Sequence, residues 1–202
     1  MTMLPMFPLG TVLFPHQVLA LHVFEPRYRV MLDHCMSTES EFGVVLIERG
    51  SEVGGGDVRF DLGSLARIVE VANLPDGASL LAAVGVRRLR VSEWLPDDPF
   101  PRARVELFDE LFAEEGLEGR VESARRLLAR LRVLRGDPPT GVHEHEVADD
   151  PLVASYQLCA RAPLGSLDAQ VLLAFEHVSQ RLDALGTMLA DAIAVLEAQT
   201  GR

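Results

Sequence analysis

Apolar residues crowd the stretch PLGTVLFPHQVLALHVFEPRY at residues 8–28, but not at helical spacing. Pro8, Pro15 and Pro26 each fix φ and remove a donor, so the stretch reads as short extended pieces joined by turns. Residues 12–14 and 18–23 carry the strand-favouring side chains, and Phe24-Glu25-Pro26 opens a helix. Proline suits its first position, and Tyr28, Met31, Leu32 and Cys35 follow at helical spacing to about Ser37. The unbroken apolar run 42–47 predicts a core strand. Runs 63–74 and 79–86 flank Pro75-Asp76-Gly77 and predict a hairpin. Residues 86–94 alternate, with Arg87, Leu89 and Val91 on one face and Arg88, Arg90, Ser92 and Trp94 on the other; Arg102, Arg104 and Glu106 alternate with Ala103, Val105 and Leu107. Six or seven short strands with one helix predict a small closed or nearly closed barrel.

From Glu114 the period changes. Leu117, Val121, Ala124, Leu128 and Leu131 mark one face of an amphipathic helix that stops at Gly136. After a breaker-rich, acidic stretch at 137–150, Asp150 and Pro151 start a second helix with Leu152, Tyr156 and Cys159 on its inner face, ended by Pro163 and Gly165. A short helix at 168–175 and a long one through Val178, Leu182, Leu185, Leu189, Ile193 and Leu196 close the chain. The pattern predicts an α+β protein, with a β-barrel subdomain over residues 1–112 and a helical bundle over 113–202.

Composition narrows the function classes. The 202 residues are 48% hydrophobic and 24% charged, ordinary for a globular chain able to bury roughly 70% of its unfolded surface. A net charge of −11 works against nucleic acid and anionic lipid alike, which are bound through clustered positive charge. Two distant cysteines, no apolar run of membrane-spanning length and no basic leader read as a cytoplasmic protein. All 19 basic residues are arginine. Without lysine these residues hold no P-loop, no Ser-Lys hydrolase and no Schiff-base enzyme.

Candidate chemistry is sparse. The glycines at 54–56 precede no helix, so they form a connection rather than a phosphate loop. His143, Glu144, His145 and Glu146 have metal-ligand side chains without HExxH spacing and read as a solvated acidic loop. His34 and Cys35 are helical neighbours about 100° apart, which misaligns a base with a thiol. No GxSxG turn occurs. No catalytic residue, metal or cofactor is expected. One basic and aromatic cluster remains: Arg87, Arg88, Arg90 and Trp94, with Arg102, Arg104 and Phe100 nearby, would suit single-stranded RNA, against a reading of paired surface charges on a folded barrel.

The runs PLGTVLFP, LHVFEPRY and FGVVLI, followed in order by LGSLARIVEV, LPDGASLLAAVGVRRLRV and PRARVE, resemble the amino-terminal substrate-binding domain of Lon ATP-dependent proteases. That resemblance covers most of the chain and implies a PUA-like pseudobarrel followed by helices. It implies recognition of unfolded or tagged polypeptide, in a stand-alone form without the ATPase and protease modules and so with a separate protease as a partner. Phe24, Glu25, Arg27 and Tyr28 match the family's opening motif. They are either peptide contacts, or else Phe24 and Tyr28 are core anchors while Glu25 and Arg27 satisfy backbone or each other. An apolar groove between the two halves is the expected peptide site, and the arginine and Trp94 face is the alternative, for RNA.

Overall fold

The computed structural model describes residues 2–50, 52, 56–109, 114–137 and 147–199. Gly54, Gly55, the His143–Glu146 run and the 112/113 boundary lie outside them. The chain divides into two compact units, Met1–Glu110 and Leu111–Arg202.

The first unit is a six-stranded mixed sheet with one helix. In chain order it contains β1 (Thr2–Leu9), β2 (Val18–Val23), α1 (Pro26–Met36), β3 (Glu41–Arg49), β4 (Val58–Asn73), β5 (Ser79–Leu95) and β6 (Arg102–Leu107). The strand order is β2-β5-β4-β3-β1-β6, and β6 also pairs with β5, so five strands close a ring and β2 adds to it as a flap. Among the described residues only β1 and β3 run parallel. β1 extends the sheet ahead of Pro8 despite holding Pro5 and Pro8. Residues 2–5 pair with β6 and residues 6–9 with β3, so each half is laddered on one side and a proline can turn its donorless nitrogen to the other.

Runs 79–86 and 86–94 are a single 17-residue strand, β5. Its first part pairs with β2 and its last part with β6, while β4 lines its other edge. Residues 12–14 are not a strand. Val12, Leu13 and Phe14 are buried in a loop whose backbone is satisfied from outside: Ser64 Oγ donates to the Leu13 carbonyl at 2.6 Å, and the Phe14 N–H donates to Gln17 Oε1 at 2.9 Å. Gly85 permits this approach, since a Cβ there would stand 2.2 Å from the Phe14 carbonyl oxygen. Inside, Phe7, Leu13, Tyr28, Met31, Cys35, Phe42 and their neighbours form one core, and Met6, Leu65, Leu89, Val91 and Val105 a second toward the β6 end.

The second unit holds α2 (Glu118–Arg135), α3 (Pro151–Arg161), α4 (Ser166–Ala174) and α5 (Val178–Gln199). Val121, Ala124, Leu128 and Leu131 of α2 are buried, as the spacing predicts, and the helix ends on Gly136 with φ +72°. Asp150 caps α3 by accepting from the Val153 N–H at 2.9 Å. At the start of α5 the Glu114 carboxylate accepts from the N–H groups of Val178 and Ser179, at 2.6 and 3.1 Å, so residue 114 caps a helix 64 positions away.

Candidate functional site

The ring closes only at one end. β6 bridges β1 and β5 there, whereas among the described residues no strand pairs with the second edge of β2. Leu19 and Leu21 point toward the core but stay half-buried, because the seam beside them is open. A cleft of about 160 Å³ occupies it, lined by Phe7 and Leu9 of β1, Leu21 of β2, Phe24, Tyr28 and Glu52.

The FEPRY motif crosses this seam, because Pro26 starts α1 directly after β2 ends. Tyr28 is 3% exposed and stacks on Phe7 with ring centroids 4.1 Å apart. Burial pushes its hydroxyl pKa up to about 12. Arg27 donates to Glu25 at 3.1 Å and to the Glu52 carbonyl at 3.2 Å, with its guanidinium 4.5 Å above the Tyr28 ring. Glu25, Arg27 and Tyr28 thus close a rim on one another. Phe24 does not join the core: it is 54% exposed, with His22 tilted against it at 5.7 Å. The core-anchor expectation therefore holds for Tyr28 and fails for Phe24, because the strand-to-helix corner turns residue 24 outward.

The outer face of β2, β5 and β4 is largely apolar, with Arg67, Glu70 and His22 at its margins. Three rows cross it in register: Val18–Val84–Arg67, Ala20–Ala82–Glu70 and His22–Leu80–Ala72. A hollow of about 480 Å³ is lined by Ala20, His22, Glu70, Ala72, Leu80 and Ala82. β2 therefore has a hollow on its outer face, a cleft on its inner side and an open edge between them.

Residues 3–191 match the model of the ATP-dependent protease La (LON) substrate-binding domain. The chain belongs to the Lon substrate-binding domain family. Lon protease 2 of Herpetosiphon aurantiacus is 27% identical over 96% of the chain, which spans about a quarter (24%) of that relative's length. The crystal structure of a Lon N-terminal domain protein from Xanthomonas campestris superposes with a TM-score of 0.67 at 29% identity, covering 92% of this chain and 97% of that one. The N-terminal domain of Mycobacterium avium complex Lon protease shares the fold, with a TM-score of 0.70 at 19% identity over 94% of this chain and 99% of that one. The six-stranded mixed sheet with five helices is thus the α+β fold of Lon N-terminal domains, and the role that goes with it is substrate recognition, the non-catalytic part of Lon.

In this Lon-family barrel the arginine and Trp94 cluster does not form one face. Ser92 is an extra residue against β6, since Val91 pairs with Val105 and Glu93 with Arg104. Beyond that bulge Trp94 turns to the inner side opposite Ala103, where its Nε1–H donates to Asp61 at 3.2 Å beneath the Arg59 guanidinium, 4.7 Å away. Arg88 is 1% exposed: the chain after β6 lies back across it, the Phe108 N–H donating to the Arg88 carbonyl at 3.0 Å. The Phe108 ring carries both the Arg88 and Arg90 guanidinium groups, at 5.0 and 5.3 Å. Arg87 is exposed and pairs with Asp109 at 3.7 Å. Strict alternation placed Trp94 beside Arg88 and Arg90; a one-residue bulge carries no signal in the hydrophobic pattern and reverses that placement.

Cys35 and Cys159 are buried free thiols, their pKa values raised by burial to about 11 and about 12. Exposed His34 packs on Phe100 instead of the thiol. Among the described residues no cluster of three or more His, Cys, Asp or Glu could hold a metal, and no helix is long and apolar enough to cross a membrane. Arg181, which the sequence pattern does not single out, is fully buried in α5 and donates to Ser155 Oγ, the Tyr156 hydroxyl and the Phe175 carbonyl at 2.7–2.9 Å. Its part is to join three helix segments of the second unit.

Proposed function

We propose that this chain recognises unfolded or tagged polypeptide without chemistry of its own, acting as an adaptor that presents it to a separate protease. The observation that carries the reading is the open edge of β2 between a largely apolar hollow and a cleft of mixed lining. An extended chain can satisfy its backbone on such an edge while alternate side chains fill the hollow and the cleft. Phe24, at the end of β2, adds exposed aromatic area, and Glu25, Arg27 and Tyr28 hold the corner that presents it. Family membership supports the choice of a protein substrate.

The test is a titration with a reduced, denatured model polypeptide, the same polypeptide folded, and a single-stranded RNA, each at two salt concentrations. The expected result is binding of the denatured chain with weak salt dependence, reduced by Leu80→Glu and by Phe24→Ser while the melting temperature is retained. Strongly salt-dependent binding of RNA alone would overturn the reading.

A further inference from the structure

The geometry points to a basic-residue subsite on the outer face of β2, β5 and β4: a polypeptide added to the edge of β2 places an arginine or lysine along the alanine row, with its charge on Glu70. This rests on the polypeptide-recognition reading and names what that surface selects.

The subsite comes from a register shift in β4. Ile68 pairs with Ala83 and Glu70 with Ala82, so Val69 is the extra residue of a bulge. Ile68 faces the core, and strict alternation would send Glu70 inward with it and leave Val69 opposite Ala82. The bulge expels Val69, which is 67% exposed, and aims the carboxylate outward. Glu70 then ends the row Glu70–Ala82–Ala20, whose other end opens on the free edge of β2. Larger side chains flank that row, Leu80 and His22 on one side and Val84 and Val18 on the other, so the two alanines form the floor of a channel across the strands. Glu70 is exposed, and no ion pair joins it to another described side chain.

Charge and shape together select the occupant. An apolar floor suits a long aliphatic stem, and a carboxylate at its far end suits a cation, the combination that arginine and lysine carry. The added strand would lie about 14 Å from β4, three strand spacings, a span that requires a long side chain meeting the glutamate part-way. Neighbouring residues of the same strand, pointing to the other side, would cover half-buried Leu19 and Leu21 and enter the seam cleft. The preferred segment is therefore extended, with apolar residues on its inner side and a basic residue on the row of Ala20. The net charge of −11 draws such segments in.

The test measures fluorescence anisotropy with one labelled ten-residue peptide of alternating valine and threonine, carrying at its centre arginine, lysine, citrulline or glutamate. The native protein is expected to bind the arginine peptide about two- to fivefold more tightly than the citrulline peptide, the range of an exposed ion pair. Glu70→Gln should erase that difference, and Glu70→Arg should shift the preference to the glutamate peptide. N-methylation of alternate backbone amides should weaken binding in one registration and spare it in the other. Equal affinities for arginine and citrulline, in a protein that still binds denatured polypeptide, would overturn the subsite alone. Failure to bind any of these peptides or the denatured chain would overturn the recognition reading with it.

Discussion

Arg181 shows how much one buried side chain can organise. Its guanidinium sits 3.8 Å over the Tyr156 ring and donates to a hydroxyl of α3, a phenol and a backbone carbonyl. Arg181→Ala removes those bonds and leaves their acceptors buried; the expected loss is about 3 kcal/mol or more, read as a lower urea midpoint. Glu114 gives a pH-dependent counterpart. Burial pushes its carboxyl up, but hydrogen bonds from Ser179 and Val178, with His177 3.7 Å away, outweigh that and hold its pKa below the ordinary value. A depressed folded pKa contributes stability that is fully present above the unfolded value of about 4.3 and is lost as pH falls through the folded one. Glu114→Gln should therefore lower the melting temperature at neutral pH and flatten its fall on acidification. Both thiols should resist alkylation at pH 7.5 until the protein is unfolded, because burial keeps them protonated and covered.

Among the elements, β2 depends on the loop before it. His16 donates to the Gly85 carbonyl at 2.8 Å and the Gly85 N–H to the Gln17 carbonyl at 2.9 Å, so the loop is laced to β5 immediately ahead of β2. Gly85→Ala would force its Cβ against the Phe14 carbonyl. The expected outcome is a displaced loop, a drop in melting temperature, and weaker capture of denatured polypeptide than stability loss alone explains. The element boundaries show where sequence reading works. The turn at Pro75-Asp76-Gly77, with Gly77 at φ +82°, and the caps at Asp150 and Gly136 are local chemistry and were legible. β1 was not, because two prolines argue against a strand unless each half is known to be paired on one side only. Register within β4 and β5 was not legible either, since three register shifts toward β5 and β6 and two more between β3 and β4 reset which residues face out.

For the chain as a whole, charge and surface act in one direction. A net charge of −11 with an apolar hollow on a free-edged sheet predicts that captured polypeptides are extended and basic, and that single-stranded RNA is not retained at physiological salt. Folded polypeptides should compete poorly, because their strands are already paired. Of the residues matched to the family's opening motif, Tyr28 serves the core, Glu25 and Arg27 the corner, and Phe24 the surface; a motif of five consecutive residues does not reveal that division, which follows from where β2 ends and α1 begins.

By itself the sequence determined the class of the fold, the order of strands before helices, the helix faces, the caps and the absence of lysine chemistry, because each depends on neighbours within a turn or two along the chain. Only the tertiary structure decided that β6 closes the ring on β5, that no described strand pairs with the second edge of β2, and that bulges turn Trp94 inward and Glu70 outward. Those outcomes depend on strands many residues apart settling into one register, and a shift of a single residue moves a side chain from core to solvent without altering the pattern from which it was read.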